Sequence, residues 1–309
     1  MSDDARRRLE QHEDRLVWIF GSSRSGSTWL LRMLSELAGV VPIDDPHIGH
    51  HLGVWRPIPL AWAASEDDSP ELTTLLELKR EEPGYFFAEQ HRESWWQPLR
   101  SLIQARFEAQ AEESLGDFEG TPTWVVKEPG SHVAPMLADL FPRSKLVFLL
   151  RDGRDVVDSW LAAYREGSWA IPGGAFPVAP EGRVPLIRWL ASVWAYRTEA
   201  ALEAFRSRGP EDRVLIRYED LRERPAAGLE RICSTFDIEP ASAAEIALRH
   251  SFERLPDDSR GPLREARAAS PGSWRDSLSA EEQAALHETL GETLSRVGYR
   301  EPDVASLAV

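Results

Sequence analysis

Residues 18–34 read WIFGSSRSGSTWLLRML, and the fold class is decided there. An apolar run ending at Phe20 passes into a turn that opens on Gly21 and closes on Gly26, and an amphipathic helical pattern begins at Ser27. Glycines let the backbone curl until its amides converge on one point, and the helix N-terminus behind them adds partial positive charge. The guest expected in such a turn is a phosphate-like anion. A nucleoside-triphosphatase loop would read G-x-x-x-x-G-K-[ST]; here the glycine spacing is kept, but Ser27 stands at the lysine position and the cation sits inside the loop as Arg24.

Outward from this turn, four short apolar runs read as buried parallel strands: Leu16–Phe20, Trp124–Lys127, Lys145–Leu150 and Arg213–Arg217. Helical periodicity follows at Ser27–Leu37, His132–Leu140, Asp155–Tyr164 and Ala226–Phe236, with a further helical pair at Ala241–His250 and Ala280–Val297. Strand–helix alternation predicts an α/β fold, a parallel β-sheet flanked by helices, with the loops after the strands along the edge where ligands bind. Residues 1–309 are expected to form one domain with two interruptions. Residues 48–123 hold an aromatic-rich insertion with a helix from about Ser94 to Ala111, and residues 165–185 hold a Gly/Pro-rich segment, GSWAIPGGAFPVAPEGRV from Gly167 to Val184, too long for an ordinary connection. The plain reading of the pair is surface decoration with a satellite core, and the functional reading is an acceptor pocket and its lid.

A second anion motif lies at KLVFLLRDGRDVVDSW, residues 145–160. Arg151 sits where the strand ends and Ser159 falls eight residues later, about two helical turns along. A guanidinium at a strand edge and a hydroxyl on the next helix can grip one phosphate from two sides.

The 309 residues carry 36 basic and 51 acidic side chains, a formal charge of −15. Such a chain is a poor match for nucleic acid or an anionic membrane, and no apolar run is long enough to span a bilayer. The charged Met1–Leu16 stretch lacks the apolar core of a secretion signal, so the expectation is a cytoplasmic protein. Only Lys79, Lys127 and Lys145 of the basic residues are lysines, which favours planar, bidentate anion recognition by arginine. The lone Cys233 excludes an internal disulfide and a cysteine-based zinc site.

Taken together, Arg24-Ser-Gly-Ser-Thr-Trp29, the Arg151…Ser159 pair, Arg217-Tyr-Glu-Asp-Leu221 and Gly272-Ser-Trp274 resemble, in order, the signatures of sulfotransferases that use 3′-phosphoadenosine 5′-phosphosulfate. The resemblance implies a P-loop-like sulfotransferase fold and transfer of a sulfuryl group to the hydroxyl or amine of a small or medium organic acceptor, with 3′,5′-phosphoadenosine as product. It implies that Arg24, Ser25, Gly26, Ser27 and Thr28 hold the 5′-phosphosulfate, that Trp29 and Tyr218 lie beside the adenine, and that Arg151 and Ser159 hold the 3′-phosphate. Arg267 stands where many members carry the arginine of an Arg-Lys-Gly triplet, although Ala268 and Ala269 replace the other two. A metal is not required by this chemistry.

Sulfuryl transfer needs alignment and charge stabilisation, for which Arg24 and Lys127 are suitable, and a base for the acceptor proton. Asp44 and Asp45 fall where family members acting on protein tyrosine carry adjacent glutamates, and Asp45 is the first choice of base. The rivals are His47, His50, His51, Glu128 and His132. Soluble members of the family place a histidine two residues after the strand-end lysine; here Lys127 is followed by Glu128 and Pro129. The alternatives are a P-loop kinase of small molecules, which the missing loop lysine disfavours, and a nucleotide-binding protein without catalysis. The aromatic insertion points to an aromatic or apolar acceptor.

Overall fold

The computed structural model describes residues 11–49, 79–115, 118–163, 165, 167–168, 182–239, 242–255 and 270–299. Contacts group the chain into two compact units: Met1–Arg56, Thr73–Leu150 and Ala200–Ser251 form the first, and Pro57–Leu72, Arg151–Glu199 and Phe252–Val309 form the second.

Among the described residues, five strands build a single sheet in the first unit: β1 (Leu16–Phe20), β2 (Val40–Asp44), β3 (Thr123–Lys127), β4 (Lys145–Leu150) and β5 (Arg213–Arg217). Their spatial order is β2-β3-β1-β4-β5, and every pair is parallel. In chain order the helices are α1 (Ser27–Leu34), α2 (Arg92–Leu115), α3 (Ala134–Leu140), α4 (Gly153–Ala163), α5 (Arg183–Arg206), α6 (Tyr218–Glu223), α7 (Pro225–Phe236), α8 (Ala243–Arg249), α9 (Trp274–Ser277) and α10 (Ala280–Arg296).

Parallel strands covered on both faces read as continuous apolar runs, and β1 and β3 are buried at every position. The strand period of two sends Val17 and Ile19 to one face, where they join Leu30 and Leu34 of α1 and Leu229, Ile232 and Phe236 of α7. Cys233 belongs to this layer, and burial pushes its thiol up to about 11. Trp18 and Phe20 face the other way. There the Trp18 ring lies 5.7 Å from Phe20, 5.9 Å from Phe107 of α2 and 5.8 Å from Phe141, while its indole N–H donates to Ser144 Oγ at 3.2 Å. Truncating so large a buried ring would cost about 3–5 kcal/mol.

The four expected strands are present, and β2 is a fifth that sequence periodicity did not give. Pro42 interrupts its run; proline is tolerated because β2, among the described residues, is an edge strand paired with β3 alone. The expected helix at His132 begins instead as a 3₁₀ turn at Ser131–Val133, and the α-helix proper starts at Ala134. The helix expected at Ser94–Ala111 runs from Arg92 to Leu115. The 24-residue α5 was not anticipated at all. Most of the expected lid lies outside the described residues, as do His50, His51 and Arg267.

Candidate active site

The turn after β1 is shaped by close packing. A Cβ on Gly21 would stand 2.2 Å from the Leu149 carbonyl oxygen, so only glycine fits there. The Gly21 amide donates to Ser131 Oγ at 2.9 Å, and that hydroxyl donates back to the Gly21 carbonyl at 2.6 Å. Within the turn the Ser25 amide and hydroxyl both donate to the Ser22 carbonyl, at 3.2 and 2.6 Å. Arg24 (φ 71°) and Gly26 (φ 89°) take left-handed conformations, and a Cβ on Gly26 would meet the Tyr218 ring at 2.7 Å. Gly26 is the N-cap of α1 and no side chain caps that end. Its first amides therefore lack the usual side-chain acceptor, while Ser22 Oγ is buried with no hydrogen-bond partner among the described residues. An anion seated in the turn would satisfy these groups, so the residues present fit a phosphosulfate.

Lys127 ends β3 beside this turn and is only 4% exposed. Its ammonium donates to Thr28 Oγ1 at 2.7 Å and pairs with Asp44 Oδ1 at 2.6 Å and Asp45 Oδ2 at 2.9 Å. The geometry follows from register, since Asp44 stands opposite Lys127 in the β2–β3 ladder and the Asp45 amide donates to the Lys127 carbonyl at 3.2 Å. Both carboxylates are substantially exposed, at 55% and 42%, so one face of each remains open to solvent or substrate. Asp45 (φ 48°) and His47 (φ 54°) are left-handed as well. Of the five non-glycine residues in that region among the described residues, three are Arg24, Asp45 and His47. Such strain concentrates where a structure holds functional groups in place.

Glu128 follows Lys127 and is 1% exposed. It accepts from the amides of Gly130 at 2.8 Å, Ile48 at 2.9 Å and Gly49 at 3.4 Å. Burial pushes its carboxyl above the ordinary value, the three amides pull it back, and the Asp45 charge pushes it up again. This carboxylate ties the segment after β2 to the segment after β3. A Cβ on Gly49 would lie 2.6 Å from the Gly130 carbonyl oxygen, so the two segments touch through backbone. His132 is buried in the turn at Ser131–Val133.

Beyond α1, the Trp29 indole donates to the His250 carbonyl at 2.8 Å and meets Tyr218 edge-on at 6.4 Å. Tyr218 opens α6 directly after β5 and is 6% exposed. In the second unit, Arg151 is 9% exposed and precedes α4, which carries the half-buried Ser159. Within the first unit the structure thus brings together Arg24, Ser25, Gly26, Ser27, Thr28, Trp29, Asp45, Lys127 and Tyr218. Sequence reasoning missed Ser131, whose serine-after-glycine signal in Lys-Glu-Pro-Gly-Ser-His132 is local and faint. It also missed that Glu128 is a brace. No group of three metal-ligating side chains occurs among the described residues, and no described helix is long and apolar enough to cross a membrane.

Among solved structures, the mouse sulfotransferase SULT7A1 complexed with PAP superposes with a TM-score of 0.54 at 13% identity, covering 96% of this chain and 90% of that one. The sulfotransferase domain of the Synechococcus PCC 7002 olefin synthase gives 0.49 at 17% identity, covering 93% and 95%. Retinol dehydratase in complex with retinol and PAP gives 0.49 at 14% identity, covering 97% and 87%. At these identities the mouse enzyme shows a shared fold. No curated protein sequence matches. The family profile described as "Sulfotransferase family" matches residues 17–242, from β1 past α7, which takes in the anion turn, the Lys127 cluster and the Arg151…Ser159 motif. With the sheet, the turn and most of the chain under one profile, this protein belongs to the sulfotransferase family.

Proposed function

We propose that the protein transfers the sulfuryl group of 3′-phosphoadenosine 5′-phosphosulfate to a hydroxyl or amine of a small or medium organic acceptor. The observation that carries this is the Lys127 ammonium, held between Thr28 of the anion turn and the Asp44–Asp45 pair. It puts a cation and an exposed carboxylate next to the place where a phosphosulfate would sit. The PAP bound to the mouse sulfotransferase of the same fold supports the choice of donor.

In-line displacement forms a bond from the acceptor oxygen or nitrogen to sulfur as the bond from sulfur to the bridging oxygen breaks. The acceptor proton passes to the Asp45 carboxylate. The electron pair of the broken bond stays on the 5′-phosphate of 3′,5′-phosphoadenosine. Arg24 and Lys127 stabilise charge on the equatorial and leaving oxygens, and the turn amides hold the phosphate. Trp29 and Tyr218 flank the adenine, and Arg151 and Ser159 read the 3′-phosphate. Glu128 and His132 are too enclosed to reach an acceptor, so in this scheme Glu128 holds the segment that carries Asp45. The aromatic residues of 48–123 motivate an aromatic or apolar acceptor.

Asp45→Asn tests the scheme. The amide can keep a hydrogen bond from Lys127 but is no base, so turnover should fall by about 10²-fold or more while affinity for 3′,5′-phosphoadenosine, read by calorimetry, stays within about twofold. A near-normal rate with labelled donor against pooled phenols, alcohols and amines would move the base elsewhere. Stabilisation by magnesium ATP, with none by 3′,5′-phosphoadenosine, would overturn the whole assignment.

A further inference from the structure

The charged residues of Arg151-Asp-Gly-Arg-Asp155 are not interchangeable. Arg154 is committed internally: its Nε donates to Asp152 Oδ1 at 2.9 Å and its Nη2 to Asp152 Oδ2 at 2.7 Å. The guanidinium so fixed lies 4.7 Å from the centre of the Trp274 ring, which also meets Arg275 at 4.5 Å and His287 edge-on at 5.5 Å. Asp155 and Asp158, one helical turn apart on α4, are 1% and 2% exposed. Both reach one late segment. Asp155 accepts from the amides of Gly272 at 2.7 Å and Trp274 at 3.5 Å. Asp158 accepts from the hydroxyls of Ser273 at 3.1 Å and Ser277 at 2.6 Å.

Asp155 lies four residues after Arg151 and four before Ser159, and the Val156 amide bond to the Asp152 carbonyl carries the helical turn back to Asp152. The acid therefore falls between the two groups assigned to the 3′-phosphate. A buried carboxylate there would repel a phosphate unless its charge were engaged elsewhere. The Gly272 and Trp274 amides and the Arg151 charge engage it, each opposing the upward push that burial gives its carboxyl.

We propose that Asp155 and Asp158 are positioning residues for 3′-phosphate recognition: by pinning Gly272–Ser277 to α4 they fix the helix that carries Ser159 and whose first turn follows directly on Arg151. The proposal rests on the assignment of that pair to the 3′-phosphate. Its consequence is specificity: these acids govern discrimination between a 3′-phosphorylated nucleotide and the same nucleotide without that phosphate, without themselves touching it.

The test uses the full chain and two probes, 3′,5′-phosphoadenosine and adenosine 5′-phosphate, each titrated calorimetrically. Arg151→Ala should reduce the preference for the first probe by about 100-fold. Asp155→Ala should reduce it by about tenfold with affinity for adenosine 5′-phosphate within about twofold, and Asp155→Asn, whose amide oxygen still accepts from Gly272, should recover part of the loss. Should Asp155→Ala fail to fold, Asp158→Asn and Ser277→Ala probe the same anchor more gently, with a preference reduced at least about threefold. The proposal is overturned if Arg151→Ala acts selectively while every anchor variant leaves the preference unchanged or weakens both probes equally. If Arg151→Ala is itself unselective, the assignment of the pair falls and the proposal with it.

Discussion

The turn that leaves β1 and the segment that leaves β2 share one edge of the same sheet, yet they are held by opposite means. The first is a backbone device: Gly21 against Leu149, Gly26 against Tyr218, and two left-handed residues that curl the chain into a tight turn. The second is a side-chain device, in which Lys127 clasps Asp44 and Asp45 and buried Glu128 gathers the amides of Ile48 and Gly49. Backbone amides offer fixed dipoles and suit a donor that is always the same. Side chains carry protons and full charges, as acid–base chemistry on an acceptor requires. The division implies that substitutions on the two sides separate binding from turnover.

The largest effect should come from Lys127→Ala, because its ammonium joins Thr28 of the first device to the carboxylates of the second. Turnover should fall by about 10³-fold, and Lys127→Arg should not restore it, since a planar fork cannot replace a compact ammonium with three partners. Retention of more than a tenth of the wild-type rate would break the comparison. Next is Gly26→Ala, which brings a Cβ to 2.7 Å from the Tyr218 ring at φ 89°. Affinity for 3′,5′-phosphoadenosine should drop by about 10–100-fold, and the strain should cost about 1–3 kcal/mol in denaturant titration. Ser25→Ala should do less, because the turn is built from backbone.

The smallest effect belongs to Glu128→Gln and is read through pH. Burial raises the Glu128 carboxyl above its ordinary value of 4.5, so the folded chain holds that proton more tightly than the unfolded one. Between 4.5 and the raised folded value the native state binds more protons, and stability falls as pH rises across that window. Glutamine removes this dependence. The difference in melting temperature between wild type and variant should therefore shift against wild type as pH rises through the window, and a constant difference would show that burial is not what dominates at Glu128.

Sequence made the centre of the sheet legible because buried parallel strands are uninterrupted apolar runs, and it made the anion turn legible because close approach admits only glycine. β2 was hidden by Pro42, which argues against a strand unless the strand is known to be an edge. With β2 unseen, the pairing of Asp44 with Lys127 could not follow, since it is a register effect between strands about 80 residues apart. α5 was written in the sequence: Ile187, Ala191, Trp194, Thr198 and Ala201 recur at helical spacing and are all buried. Its start is masked by the Gly/Pro-rich stretch of 167–184 and by Pro185, which read as loop rather than helix. The role of Glu128 was out of reach for a different reason, as its partners are backbone amides, which leave no trace in side-chain identity.

The lone thiol of Cys233, sealed beneath the sheet by α7 and pushed up to about 11, gives the molecule a built-in reporter. At neutral pH it is neither a thiolate nor within reach of reagents, so ordinary oxidants and maleimides should pass it by while the fold is closed. Each labelling event then records an opening of that layer, and its rate in the presence of nucleotide measures how far a guest in the turn after β1 tightens the helices packed behind it.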